Sequence, residues 1–153
     1  MNDKDITEMK TPLGKKSSTQ TIQERFDNDV ERFSNLDTGQ RAVIDAPLIL
    51  DLISALSIQL VPHAQNILDI GCGAGNNTIK IVREKAGLNC DLVDLSRPML
   101  ERAEQRLRQE KTGDIRTFQG DFRTLDLPQD HYDLIVAAAV LHHLRDDQDW
   151  LEG

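Results

Sequence analysis

A chain of 153 residues is long enough for one domain with a real core, and an aromatic content of 4% leaves that core to Leu, Ile, Val and Ala. A formal net charge of −8 argues against a broad electrostatic hold on nucleic acid or on an anionic membrane. The two cysteines, Cys72 and Cys90, suggest neither a disulfide scaffold nor a metal motif of paired cysteines, and no apolar run approaches the ~20 residues that cross a bilayer. With a polar N-terminus and no signal-peptide pattern, the expectation is a soluble cytoplasmic protein with no resident metal.

Residues 1–20 are polar, contain Pro12 and Gly14, and are expected to form a disordered tail. Residues 21–62 follow as a predicted helical cap. Thr21 and Glu24 make a capping box, and Ile22, Phe26, Val30 and Phe33 fall at helical spacing. That first helix is expected either to pack on the sheet or to act as a lid, with Phe26, Arg32 and Phe33 facing a cleft. Asn35 to Gln40 breaks it. A second helix is predicted from Asp45 as N-cap with Pro47 in its first turn, and its row Leu48, Leu52, Leu56 and Leu60, helped by Ile49 and Ile53, is expected to pack against the sheet edge.

From Ile67 to Thr78 the sequence ILDIGCGAGNNT predicts a buried strand, a turn with Gly71, Gly73 and Gly75, and the start of a helix. The crossover helix is predicted over Asn77 to Lys85 with Gly87 as its stop, and a second strand over Cys90 to Leu95. Ser96 caps the next predicted helix, with Pro98 in its first turn and Leu100, Ala103 and Leu107 as its buried stripe. Glu101, Arg102, Glu104, Arg106 and Arg108 are taken as its solvated face. A third strand is predicted at Ile115 to Gln119 and a fourth at Tyr132 to Ala138. This alternation implies parallel strands with right-handed crossovers, an α/β fold with a doubly wound sheet.

Ligands of such sheets sit at the carboxyl ends of the strands, where the predicted strands deliver Asp69, Asp94 and Asp121. Each alone is most simply a turn or cap residue; three in succession exceed that need. Asp94 lies nineteen residues after Gly75, where a carboxylate can accept both hydroxyls of a ribose, and Leu95 either packs on the base or is a buried strand residue. The turn reads G-C-G-A-G-N, with Asn76 where dinucleotide binders carry their third glycine. Asp69, two residues before Gly71, suits a cationic amino group better than a diphosphate. An amino-acid-bearing nucleoside is favoured over a pyrophosphate.

The motifs LDIGCGAG, VDLS, QGDF and YDLIVAAAVLHHL, in that order, resemble the first four strand motifs of the class I S-adenosylmethionine-dependent methyltransferases, and the helices from Thr21 to Leu60 resemble the cap of such enzymes. The resemblance makes residues 63–153 a partial Rossmann-like cofactor domain. It implies that Asp69 fixes the methionine amino group, that Gly71 and Gly73 let the backbone approach, and that Asp94 holds the ribose. It also gives Asp121 the adenine amino group, Phe122 the border of the ring, and Ala137 the methionine end. His142 and His143 are candidate bases, needed only if the acceptor must lose a proton, and are equally well a helix-start pair.

The resemblance also bears on the acceptor. Ala138, Ala139, Val140 and Leu141 stand where DNA amino-methylating members carry an Asn/Asp-Pro-Pro-aromatic run, so a small-molecule substrate, or else a protein, is expected and DNA is not. The family fold continues with three further strands beyond the fourth, which leads to the expectation that the chain is a fragment or truncated form. The alternative is a non-catalytic protein that binds S-adenosylmethionine or uses the exposed edge of Leu134 to Val140 to join a partner. A nicotinamide-binding protein is disfavoured by Asp69 and Asn76. The sequence assigns no oligomeric state.

Overall fold

The computed structural model describes residues 17–34, 46–138 and 140–144. The predicted tail up to Lys16, the break at Asn35 to Gln40, the Asp45 cap and Ala139 lie outside the described residues, as do the side chains of Arg32, Phe33, Pro47 and His142. Three helices precede the sheet: α1 (Thr19–Asn28), α2 (Val30–Ser34) and α3 (Ala46–Leu60). Then β1 (Asn66–Ile70), α4 (Asn76–Glu84), β2 (Asn89–Asp94), α5 (Arg97–Leu107), β3 (Ile115–Gln119) and β4 (Leu134–Val136) follow, with a 3₁₀ turn at Leu141–His143.

All strand pairs are parallel and the spatial order is β3-β2-β1-β4. The chain thus builds outward from β1 through β2 to β3, then crosses back to place β4 on the other side of β1. This reversal opens a crevice above the carboxyl end of β1. β1 and β2 are buried on both faces, which their continuous apolar runs require, and Ile67, Cys90 and Leu92 are fully enclosed. From the helices, Ile79, Ile81 and Val82 of α4 and Leu100, Ala103 and Leu107 of α5 close the same core. The predicted α5 stripe is therefore the buried one, and Ser96 caps it as expected, accepting from Met99 N at 3.3 Å.

Two side-chain clusters tie the strands at the far end from the crevice. Asp91, buried in β2, accepts a fork from Arg116 of β3 at 2.7 and 2.6 Å and the hydroxyl of Tyr132 at 2.7 Å. Asp133 accepts the backbone N–H groups of Gln65 and Asn66 at 2.8 and 2.9 Å, which hold its carboxyl below its usual range, and its own N–H returns to Asn66 O at 3.0 Å.

The cap departs from its prediction in three ways. The first helix begins earlier, with Ser18 as N-cap accepting from Thr21 N at 3.2 Å, while Glu24 receives Gln20 Nε2 at 2.9 Å instead of closing a box. It also stops at Asp29 before α2 restarts, next to Asn28, whose amide donates to Glu24 O at 2.8 Å and competes for the ladder. Most different is α3. Its predicted contact row is exposed, with Leu56 at 51% and Leu60 at 76%, whereas Leu50, Ser54 and Ser57 are buried, with Ile53, Ile58 and Val61 partly buried beside the core.

Helical geometry explains that reversal. Successive steps of four residues drift by about 40° each, so the row from Leu48 to Leu60 winds around the helix, while Leu50, Ser54, Ser57 and Val61 keep to one side. Ser54 and Ser57 are buried, α3 packs on α4, and Asp51 pairs with Lys80 between the two helices. β4 is also shorter than predicted and lies at the sheet margin, with Ile135 exposed.

Candidate functional site

The glycine turn is seated on the end of β2, because Gly71 N and Cys72 N both donate to Val93 O at 2.8 and 3.0 Å. Gly71 has φ +67°, and a Cβ there would lie 2.6 Å from Val140 Cγ2, so no other residue fits without movement. Gly73 also has positive φ, at +51°, but a Cβ there would meet nothing within 4 Å among the described residues. Its backbone borders open space. Gly75 is the N-cap of α4, and its missing Cβ lets the turn sit against Ala103 of α5.

Asp94, at the tip of β2, spends both oxygens on backbone: Oδ2 accepts from Gly73 N at 2.8 Å and Oδ1 from Ser96 N at 2.9 Å. Burial raises its carboxyl above the ordinary value, the N–H groups of Ser96 and Gly73 pull it back, and the nearby Asp27 of α1 raises it further. Asp69 is fully buried behind the turn. Its Oδ2 accepts the Thr78 hydroxyl at 2.6 Å, while its Oδ1 has no partner among the described residues. Burial pushes this carboxyl up to about 7, against the Thr78 bond and with a smaller push from Asp94.

After β3, Asp121 starts a turn closed by Thr124 N on Asp121 O at 2.9 Å. Its carboxylate takes a fork from Arg123, Nε to Oδ1 at 2.9 Å and Nη2 to Oδ2 at 2.5 Å. A cleft at the carboxyl ends of the strands brings together Gly71, Asp94, Leu95, Asp121 and Phe122 with Arg123, Val140 and His143. Thr19 and Ile22 of α1 also line it, and Phe26 meets the His143 ring edge-on at 6.0 Å. Of the sequence-predicted residues, Asp69, Gly73 and Gly75 stand behind or beside this wall and Ala137 is outside it. Cys72 is buried, and burial raises its thiol well above the usual range.

Sequence reasoning missed four contributors. Arg106, assigned to the solvated face, turns back to donate to Ala74 O at 2.5 Å and Asn76 Oδ1 at 2.8 Å, bracing the glycine turn. The available signal was its place three residues after Ala103, at the margin of the buried stripe. Arg102 is likewise half-covered and faces Glu31 of α2 at 3.8 Å. Thr78 and Arg123 carried no signal beyond lying near Asp69 and Asp121. Among the described residues no group of three or more His, Cys, Asp or Glu is arranged to hold a metal, and no helix is long and apolar enough to cross a membrane.

Residues 67–152 match a protein family described as "Methyltransferase domain". The chain is 34% identical over 93 residues to an uncharacterized methyltransferase of Mycobacterium bovis, covering 60% of this chain and 45% of that protein. It is 30% identical over 128 residues to a malonyl-[acyl-carrier protein] O-methyltransferase of Halalkalibacterium halodurans, covering 82% of this chain and 46% of that protein. The chain thus spans about half the length of the curated relatives it matches.

Among solved structures, the N-methyltransferase NodS of Bradyrhizobium japonicum, in complex with S-adenosylhomocysteine, superposes with a TM-score of 0.64 at 25% identity over 83% of this chain and 63% of that one. Magnesium protoporphyrin IX methyltransferase from Synechocystis, with bound S-adenosylmethionine, shares the fold at 16% identity, with a TM-score of 0.63 over 88% of this chain and 67% of that one. The fold is the Rossmann-like α/β fold of these enzymes, and with more than half of its residues inside the matched region, the chain belongs to the methyltransferase domain family.

Proposed function

We propose that this chain binds S-adenosylmethionine in the cleft above β1 and β2 and serves methyl transfer to a small-molecule acceptor. The observation that carries the proposal is the set of strand-end acids: Asp69 with a buried, unpartnered Oδ1, Asp94 fixed by Gly73 and Ser96, and Asp121 in the cleft wall. A cationic amino group would satisfy Asp69, which no part of a diphosphate could do. The open space beside Gly73 suits close backbone approach. That Asp94, Leu95 and Phe122 line one cleft supports a ribose held by the carboxylate and a base bordered by the two apolar side chains.

When bound, S-adenosylmethionine supplies a methyl group on an already activated sulfonium. The chain's own task is then to hold an acceptor in line and keep water out, and no protein acid or base is compulsory. α1 supports the second task by walling the cleft with Thr19 and Ile22. His143, held against Phe26, is a group in the wall that can take a proton from an acceptor that must lose one. In this reading residues 21–62 are the cap and residues 63–153 the cofactor-binding part.

A small-molecule acceptor is supported by the run from Ala138 to Leu141, which lacks the polar and proline residues of amine-methylating DNA enzymes. A non-catalytic, partner-joining role is supported instead by the marginal position of β4 and the exposure of Ile135. Calorimetry with S-adenosylmethionine, S-adenosylhomocysteine and NAD tests the cofactor. Binding of the two methionine nucleosides in preference to NAD is expected, and tighter binding of NAD would sink the proposal.

A further inference from the structure

Of the three strand-end acids, Asp69 is bonded to a hydroxyl and Asp94 to two backbone N–H groups, whereas Asp121 is joined to a cation. The Arg123 fork reaches both of its oxygens, and Arg123 N adds a bond to Oδ1 at 3.2 Å. Neither side chain behaves as a surface ion pair, since Arg123 is 16% and Asp121 22% exposed, and both line the cleft. In such a setting a two-pronged guanidinium bond fixes the plane of a carboxylate far better than a solvated contact does. No regular element does this instead, because β3 has ended at Gln119.

We infer that Arg123 is a positioning residue: it locks the Asp121 carboxylate in the orientation that receives the exocyclic amino group of a purine. The inference rests on the cofactor reading above. Its chemistry is a division of labour by charge. Asp69 has no cation beside it among the described residues and suits a charged amine. Asp121, already neutralised by Arg123, offers direction without net charge, which suits the neutral amine of adenine.

The test uses the full 153-residue chain, S-adenosylhomocysteine, and the analogue with hydrogen in place of the purine 6-amino group. The unsubstituted protein should prefer S-adenosylhomocysteine about tenfold, the worth of one well-oriented hydrogen bond. Arg123→Met should remove that preference by weakening S-adenosylhomocysteine while leaving the analogue unchanged. Arg123→Lys, which keeps the charge but cannot fork, should retain only part of it, and it decides the matter if a melting curve shows that the methionine variant does not fold. Equal weakening of both ligands would make Arg123 merely structural and overturn the inference, as would unchanged or tighter binding of S-adenosylhomocysteine. Binding by the unsubstituted protein with no amino-group preference would overturn it while leaving the cofactor reading intact; binding of neither ligand would overturn both.

Discussion

Asp94 accepts the backbone N–H of Gly73 at 2.8 Å, so the tip of the second strand holds in place the turn that follows the first. With its other oxygen on Ser96 N, this carboxylate also anchors the start of α5. A residue singled out for ligand contact is therefore part of the scaffold.

Asp94→Ala is accordingly expected to do two things at once. It should weaken S-adenosylhomocysteine binding and lower stability, each by about 1–3 kcal/mol, because backbone donors lose their acceptor whether or not a ligand is present. Urea unfolding without ligand measures the second effect. An unchanged midpoint would show that the Gly73 and Ser96 bonds contribute nothing to the fold.

Asp69 sets a pH dependence. Its folded carboxyl titrates at about 7 against an ordinary 3.8, so this group's contribution to stability is fully present below about pH 4 and is lost as pH rises through about 7. Asp69→Asn should flatten that slope and stabilise the ligand-free protein above pH 7 by a few kcal/mol, at about 1.36 kcal/mol for each unit of displacement. Melting curves across pH 4 to about 8 report it. A ligand amino group requires the ionised carboxyl, so affinity for S-adenosylhomocysteine should rise over the same window.

Two glycines of one turn should respond differently to the same methyl group. Gly71→Ala drives a Cβ into Val140 and is expected to cost roughly 2–4 kcal/mol of stability from overpacking and left-handed backbone together. Gly73→Ala meets no atom of the described residues within 4 Å and should cost roughly 1–2 kcal/mol, yet weaken S-adenosylhomocysteine by about tenfold or more if the proposed ligand lies against this turn, because the methyl group then enters its space. Equal affinities for the Gly73 variant and the unsubstituted protein would move the ligand away from this turn.

The orientation of α3 can be read from two leucines. Leu50→Ala should destabilise by roughly 2–4 kcal/mol, whereas Leu56→Lys, on the exposed side, should stay within about 0.5 kcal/mol. Chemical denaturation of the two variants settles which side packs.

The strands, the helices between them and the acids at the strand ends were legible because short apolar runs, a glycine turn and capping residues each carry a local signal at a fixed spacing. The α3 face was not. The leucine row is the exposed one, and the two serines that are buried look polar in a sequence. Arg106 and Arg123 were missed for a related reason: an arginine can lie in the solvated half of a helix or turn and still reach its head group back to a carbonyl or carboxylate. What a side chain does at the end of a long flexible stem depends on neighbours distant in sequence.

The two hydrogen bonds that the Asp133 carboxylate accepts from Gln65 N and Asn66 N join the entries to β1 and β4, so the chain enters the sheet twice at neighbouring points. Between those residues lie three of the four strands and both crossover helices, a ring of polypeptide closed by hydrogen bonds instead of a peptide link. The ring's ends are near enough for a short linker to join them, so a circularly permuted chain, opened elsewhere, could keep the same pairing. For this half of the fold, the order in which the strands are synthesised and the way they are held together are separable properties.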